Sequence, residues 1–140
     1  MQHPADFVDA HQRHLKDAEL LMDHDRWANA DQMYGFSAEC GLKAVMKVLG
    51  MPVDASGKPQ EREHRKHVQE LWPVFLTFAT GRGGARYLRL LPGGEPFSDW
   101  SHHNRYAHRK HFEKANVEPH REAARDIRRM VQLARQDGQP

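Results

Sequence analysis

The stretch from Trp27 to Gly50, WANADQMYGFSAECGLKAVMKVLG, constrains the fold more than any other part of the chain. Trp27, Ala30, Tyr34, Ala38, Gly41, Val45 and Leu49 recur at helical spacing, which predicts one long helix. Between Asp31 and Lys43 the only charged side chain is Glu39, amid Met33, Tyr34, Phe36, Ala38, Cys40 and Leu42. An unpaired buried ion is too costly, so this carboxylate needs a partner. Lys43 offers one at the i+4 position, and an arginine from elsewhere is the alternative. Ala38 and Gly41 are small enough to let another backbone approach. Gly50 followed by Pro52 stops the helix.

Further helices are predicted on both sides. The first runs from about Pro4 to about His24, with proline suited to its first turn. Phe7, His11, Leu15, Ala18 and Leu21 or Met22 mark its apolar face, with His14 beside the stripe. His11 is expected to be a hydrogen-bonded core residue. Asp23 to Asp25 is a polar break that favours an antiparallel hairpin. After the polar loop Val53 to Gln60, a third helix is expected over about Glu61 to Thr80. Its apolar side is Val68, Leu71, Trp72, Phe75, Phe78 and Ala79, and His67 is expected to point into the bundle near Leu71. Pro73 should kink or split this helix. Ala85 to Leu91 reads as a short extra helix. From Pro92 onward, and through FSDWSHHNRYAHRKHF, no period is visible, so this stretch is expected to be a structured loop. The last helix is expected over about Val117 to about Gln136, capped by Asn116. Val117, His120, Ala124, Ile127, Val131 and Ala134 face inward, and Arg121, Arg125, Arg128 and Arg129 crowd the other sides. The predicted fold is all-α: an antiparallel, up-and-down bundle of about four main helices plus a short extra helix, in one domain over residues 1–140.

Charged residues at 29% and hydrophobic residues at 39% fit a soluble helical protein and not a disordered one. The one cysteine, Cys40, excludes a disulfide framework or a cysteine metal cluster and reads as a small core residue. MQHPADFVDA lacks the basic start and apolar run of a signal peptide, and no apolar stretch is long enough to cross a bilayer. The expected compartment is the cytoplasm, with no membrane partner. Net charge is +2 but uneven: residues 1–60 hold 6 Lys/Arg against 9 Asp/Glu, and residues 61–140 hold 15 against 10. Seven of the 11 histidines lie in that second part. The asymmetry permits an anionic partner, as solvated helix faces also would.

The segment His102 to His111, HHNRYAHRKH, concentrates the chemistry. One reading is metal-free cleavage of RNA, which needs a base for the 2′-hydroxyl proton, an acid for the leaving oxygen and a cation for the crowded phosphorane. Histidine serves either proton role near neutral pH, and arginine supplies a planar fork for phosphate oxygens. Arg105 with His111 or with His108 has that chemistry, and Arg62 with His67 makes a similar pair at an apparent helix start. A second reading is a zinc or nickel site built from His102, His103, His108 and His111, although no zinc-motif spacing is present. A third is phosphate or nucleotide binding by Asn104, Arg109, Lys110, His102 and His103, with Tyr106 or Trp100 as a stacking surface. The fourth is a solvated basic loop pinned by Phe97, Trp100 and Tyr106. Glu39 is read as a structural ion pair, or as the group that orients Arg105 or a nearby histidine.

Three segments together resemble the HEPN domain family (higher eukaryotes and prokaryotes nucleotide-binding): RWANADQMYGFSAECGLKAVM, KHVQELW and NRYAHRKH. Glu39, Leu42 and Lys43 match a Glu followed by Leu-Lys in the family's second helix, and His67 with Leu71 matches a His and Leu near the start of the third. The resemblance covers most of the chain in helix order. It implies a helical bundle that usually dimerises. Catalytic members of the family are metal-independent ribonucleases of toxin–antitoxin pairs and phage defence. Their signature, an Arg with a His a few residues on near the last helix, falls on Arg105 and His111. The residue after that Arg, often Asn, Asp or His, is Tyr106 here, and Asn104 precedes it. Other members bind nucleotides or RNA, or partner nucleotidyltransferases. The resemblance therefore implies a homodimer and either a cofactor-free endoribonuclease with catalytic Arg105, His111 and His108 supported by Asn104, Glu39 and Lys43, or a non-catalytic RNA, nucleotide, antitoxin or nucleotidyltransferase-binding module.

Overall fold

Helix formation follows the apolar periodicities closely. The computed structural model describes residues 2–138 and contains α1 (Phe7–Asp23), α2 (Trp27–Val48), α3 (Val68–Thr80), the short α4 (Ala85–Leu88) and α5 (Lys114–Asp137). Short 3-10 turns cover Arg62–His64, His102–Tyr106 and Arg109–His111. The only extended pairing among the described residues is a single bridge between Val53 and Pro59. The expected all-α bundle is what forms. No described helix is long and apolar enough to cross a membrane.

The α2 helix is the centre of the bundle, packed by α1, α5 and α3. Leu15, Ala18 and Met22 of α1 meet Ala30 and Tyr34 of α2 and Val117 and Ala124 of α5 in one apolar cluster. Further along α2, Leu42, Val45 and Met46 join Leu71, Trp72 and Phe75 of α3, Ile127 and Met130 of α5, and Phe97 and Trp100. The inward residues predicted for α5, His120 included, are all buried.

Four local expectations change. The α1 helix begins at Phe7, three residues after Pro4, because Asp6 caps it by accepting from Asp9 N at 3.0 Å. The α3 helix begins at Val68 and not at Glu61. Before it the chain folds back, with Arg65 donating from Nε to the Pro59 carbonyl at 2.6 Å. Pro73 does not split α3, which runs on through it to Thr80 with the proline exposed. The α5 helix starts at Lys114, so Asn116 is its third residue. It works in reverse there, accepting the Glu113 N–H at 3.1 Å in a reciprocal capping box.

The small residues of α2 admit side chains, not a backbone. A Cβ on Gly41 would lie 2.4 Å from Ile127 Cγ2, and one on Gly35 would lie 2.0 Å from the Trp100 ring. The Trp100 indole, packed against Gly35, donates to the Asp31 carbonyl at 2.9 Å. This contact fixes the start of the basic segment on the bundle.

Candidate functional site

The basic segment is held at its root by buried polar groups. Gln32, 4% exposed, donates to the Ser101 carbonyl at 3.0 Å. Beside it Asp31, 3% exposed, accepts from His120 Nδ1 at 2.5 Å, and His120 Nε2 reaches Asp99 Oδ1 at 2.8 Å. Phe97 stacks on the His120 ring with centroids 5.1 Å apart. Burial pulls the His120 pKa down, but the hydrogen bonds and charges of Asp31 and Asp99 outweigh it, so the net shift is upward from 6.5. The sequence reading missed Asp31 and Asp99. Asp31 carried the same signal as Glu39, a carboxylate in an apolar helix, and an inward-facing His120 required a partner.

Above this root, the two 3-10 turns expose their side chains. Arg105 is exposed, donates from Nη1 to the His102 carbonyl at 3.4 Å, and lies with Cζ 4.7 Å from the centre of the Tyr106 ring. Tyr106 is 77% exposed, so it is a free stacking surface, whereas Phe97 and Trp100 are buried as pins and Trp100 cannot stack on a ligand. No ion pair among the described residues engages Arg105, Arg109 or Lys110, all exposed. By contrast, Arg121 and Arg125 of α5 both pair with Glu19, and Arg129 pairs with Asp126.

The expected catalytic imidazoles have different surroundings. His111 lines a cavity of about 230 Å³ with Asn104, Asn116, Asp31, Asp99 and His120, and neither Arg105 nor His108 lines it. His108 Nδ1 accepts the Lys110 N–H at 3.0 Å, capping its own turn. The His102 and His103 rings lie tilted against each other with centroids 4.0 Å apart, and the His102 ring is tilted in turn against His67 at 4.1 Å. His67 does not point into the bundle, since its side chain is 43% exposed. Its Nδ1–H donates to Glu39 Oε1 at 2.8 Å, while Lys43 Nζ donates to Glu39 Oε2 at 2.9 Å. Glu39 therefore has Lys43 as its ion-pair partner, and the group it orients is His67. Loss of solvation, with the nearby His67, His103 and Arg105, lowers the His102 pKa from 6.5 and favours its neutral form.

Arg109 and Lys110 also face a cavity of about 750 Å³ against the start of α2, where Arg26, Trp27 and Phe112 contribute to the wall, with the carboxylates Asp25 and Glu113. The first turn of α2 has no side-chain cap and no acidic residue, so its N–H dipoles add to the positive potential there.

The loop histidines do not gather as metal ligands. Among the described residues, the set of groups close enough to share an ion is Glu61, Glu63 and His64, and Arg82, stacked at 3.6 Å on Phe78, lines the same cavity. Cys40 offers no thiolate, because burial, with Glu39 adding, pushes its pKa up to about 12.

Comparison of the chain with protein-family models, with curated proteins and with solved structures finds no match in any of the three.

Proposed function

We propose that this protein is a HEPN-like RNA-binding protein that cleaves single-stranded RNA without a metal. The observation that carries the reading is the contrast between two sets of cations. Arg121, Arg125 and Arg129 of α5 are neutralised by Glu19 and Asp126, while Arg105, Arg109 and Lys110 project together from a loop anchored by Gln32 and Trp100 and meet no carboxylate partner among the described residues. Unneutralised cations on a fixed backbone favour phosphate, and Tyr106 beside Arg105 offers a base a face to stack on.

Cleavage adds a proton transfer to this binding. The 2′-oxygen forms a bond to phosphorus as it loses its proton, the bond to the 5′-oxygen breaks, and a cyclic phosphate and a 5′-hydroxyl result. Arg105 neutralises the phosphorane charge. A homodimer would set two basic loops along one RNA, and sedimentation of the protein alone tests that.

Labelled RNA incubated with the protein in EDTA decides between cleavage and binding alone. Cyclic phosphate ends, lost about 100-fold or more in Arg105→Ala, are the expected outcome. RNA retained on a filter but uncut would leave a binding module, such as one that serves a nucleotidyltransferase or an antitoxin. RNA neither retained nor cut retires both readings.

A further inference from the structure

We infer that His67, held by Glu39, is the residue that takes the 2′-hydroxyl proton on the surface shared with Arg105. The inference rests on the cleavage reading above and names its proton acceptor.

Glu39 is gripped at both oxygens, by Lys43 at 2.9 Å and by His67 Nδ1 at 2.8 Å. A proton on Nδ1 leaves the Nε2 lone pair of the neutral ring free, and among the described residues the His67 side chain's hydrogen bond is the one from Nδ1 to Glu39. The ring is 43% exposed, so a substrate hydroxyl can reach it. Its plane is set by the His102 ring 4.1 Å away, and His102 Nδ1 lies 3.3 Å from Gln69 Nε2. Arg105 Nη1 lies 3.4 Å from the carbonyl of that same His102. A phosphate-binding cation and a carboxylate-backed imidazole thus both contact one residue, His102.

The other imidazoles lack this combination. His120 has a carboxylate on each nitrogen, and His108 has committed Nδ1 to the Lys110 N–H. His111 opens onto a cavity that Arg105 does not line. His64 is 4% exposed.

In the step itself, His67 Nε2 accepts the 2′-hydroxyl proton as the bond from the 2′-oxygen to phosphorus forms. The bond from phosphorus to the 5′-oxygen breaks, that oxygen takes a proton from water, and His67 returns its proton to the hydroxide left behind. Glu39 is a positioning residue that holds the tautomer and steadies the imidazolium.

The test measures kcat and KM for RNA cleavage in EDTA. In His67→Gln, kcat is expected to fall about 100-fold or more with KM within threefold. His67 makes no side-chain cap to α3, glutamine can still donate to Glu39, and the melting curve of the variant checks that the fold is kept. In His67→Ala, added imidazole is expected to restore part of the rate in proportion to its concentration. Glu39→Gln is expected to lower kcat without raising KM. An active wild type whose kcat survives His67→Gln within threefold, or a His67→Ala that imidazole does not rescue, overturns the assignment alone. A wild type that leaves RNA uncut overturns the cleavage reading and the assignment with it.

Discussion

At the residue scale the most consequential group is His120, which joins α2, α5 and the root of the basic loop through Asp31 and Asp99. Its pKa is raised above 6.5 in the folded protein. The protonated ring therefore contributes stability that is fully present below pH 6.5 and is lost as pH rises through the folded value. His120→Gln leaves Asp31 as a buried charge without its cation, so it should cost about 3–5 kcal/mol in urea unfolding at pH 6. The same comparison at pH 9 should give a smaller difference; an equal one would mean that the ring's charge does not change between the two conditions. His11 works in the opposite sense. Burial lowers its pKa, only partly opposed by the Ser37 carbonyl 2.8 Å from Nδ1, with Arg128 and His14 lowering it further. It favours the folded state above pH 6.5 and opposes it as pH falls through the lowered value.

At the element scale α2 sets the position of the loop through one missing Cβ. Gly35 costs helix propensity, yet Trp100 lies where a side chain would be. Gly35→Ala must displace that indole, with its hydrogen bond to the Asp31 carbonyl, and overpacking of this kind costs about 1–3 kcal/mol. A thermal melt should show the loss, although alanine is the better helix former; an unchanged or raised Tm would mean the indole moves aside freely. The α1–α2–α5 seam has a polar clasp as well. Arg125 grips Glu19 with Nε at 2.7 Å and Nη2 at 3.1 Å, and the Tyr34 hydroxyl donates to the same carboxylate at 3.0 Å. Arg125 is thus committed to the fold, and the helix start at Arg62 is better seen as a folded-back turn ending in a half-exposed His67.

At the scale of the whole molecule the net charge of +2 says little, because the balance is local. If Arg105, Arg109 and Lys110 each meet a phosphate, the plot of log affinity for single-stranded RNA against log salt should flatten by about 2 when all three become alanine, at about 0.7 per contact. The same triple change on Arg121, Arg125 and Arg129 should leave that slope nearly unaltered while lowering stability. Equal slopes for both triples would put RNA elsewhere. The helices and their inward faces were legible along the chain, because apolar periodicity and stop signals act over a few residues. So was the Glu39–Lys43 pair, which lies within one turn of helix. The meeting of His67 with Glu39, 28 residues away, and of His120 with Asp31, 89 away, was not. Nothing local encodes such contacts. Packing α1, α3 and α5 onto α2 decided which charges are neutralised, which imidazoles meet and which cations stay unpaired among the described residues.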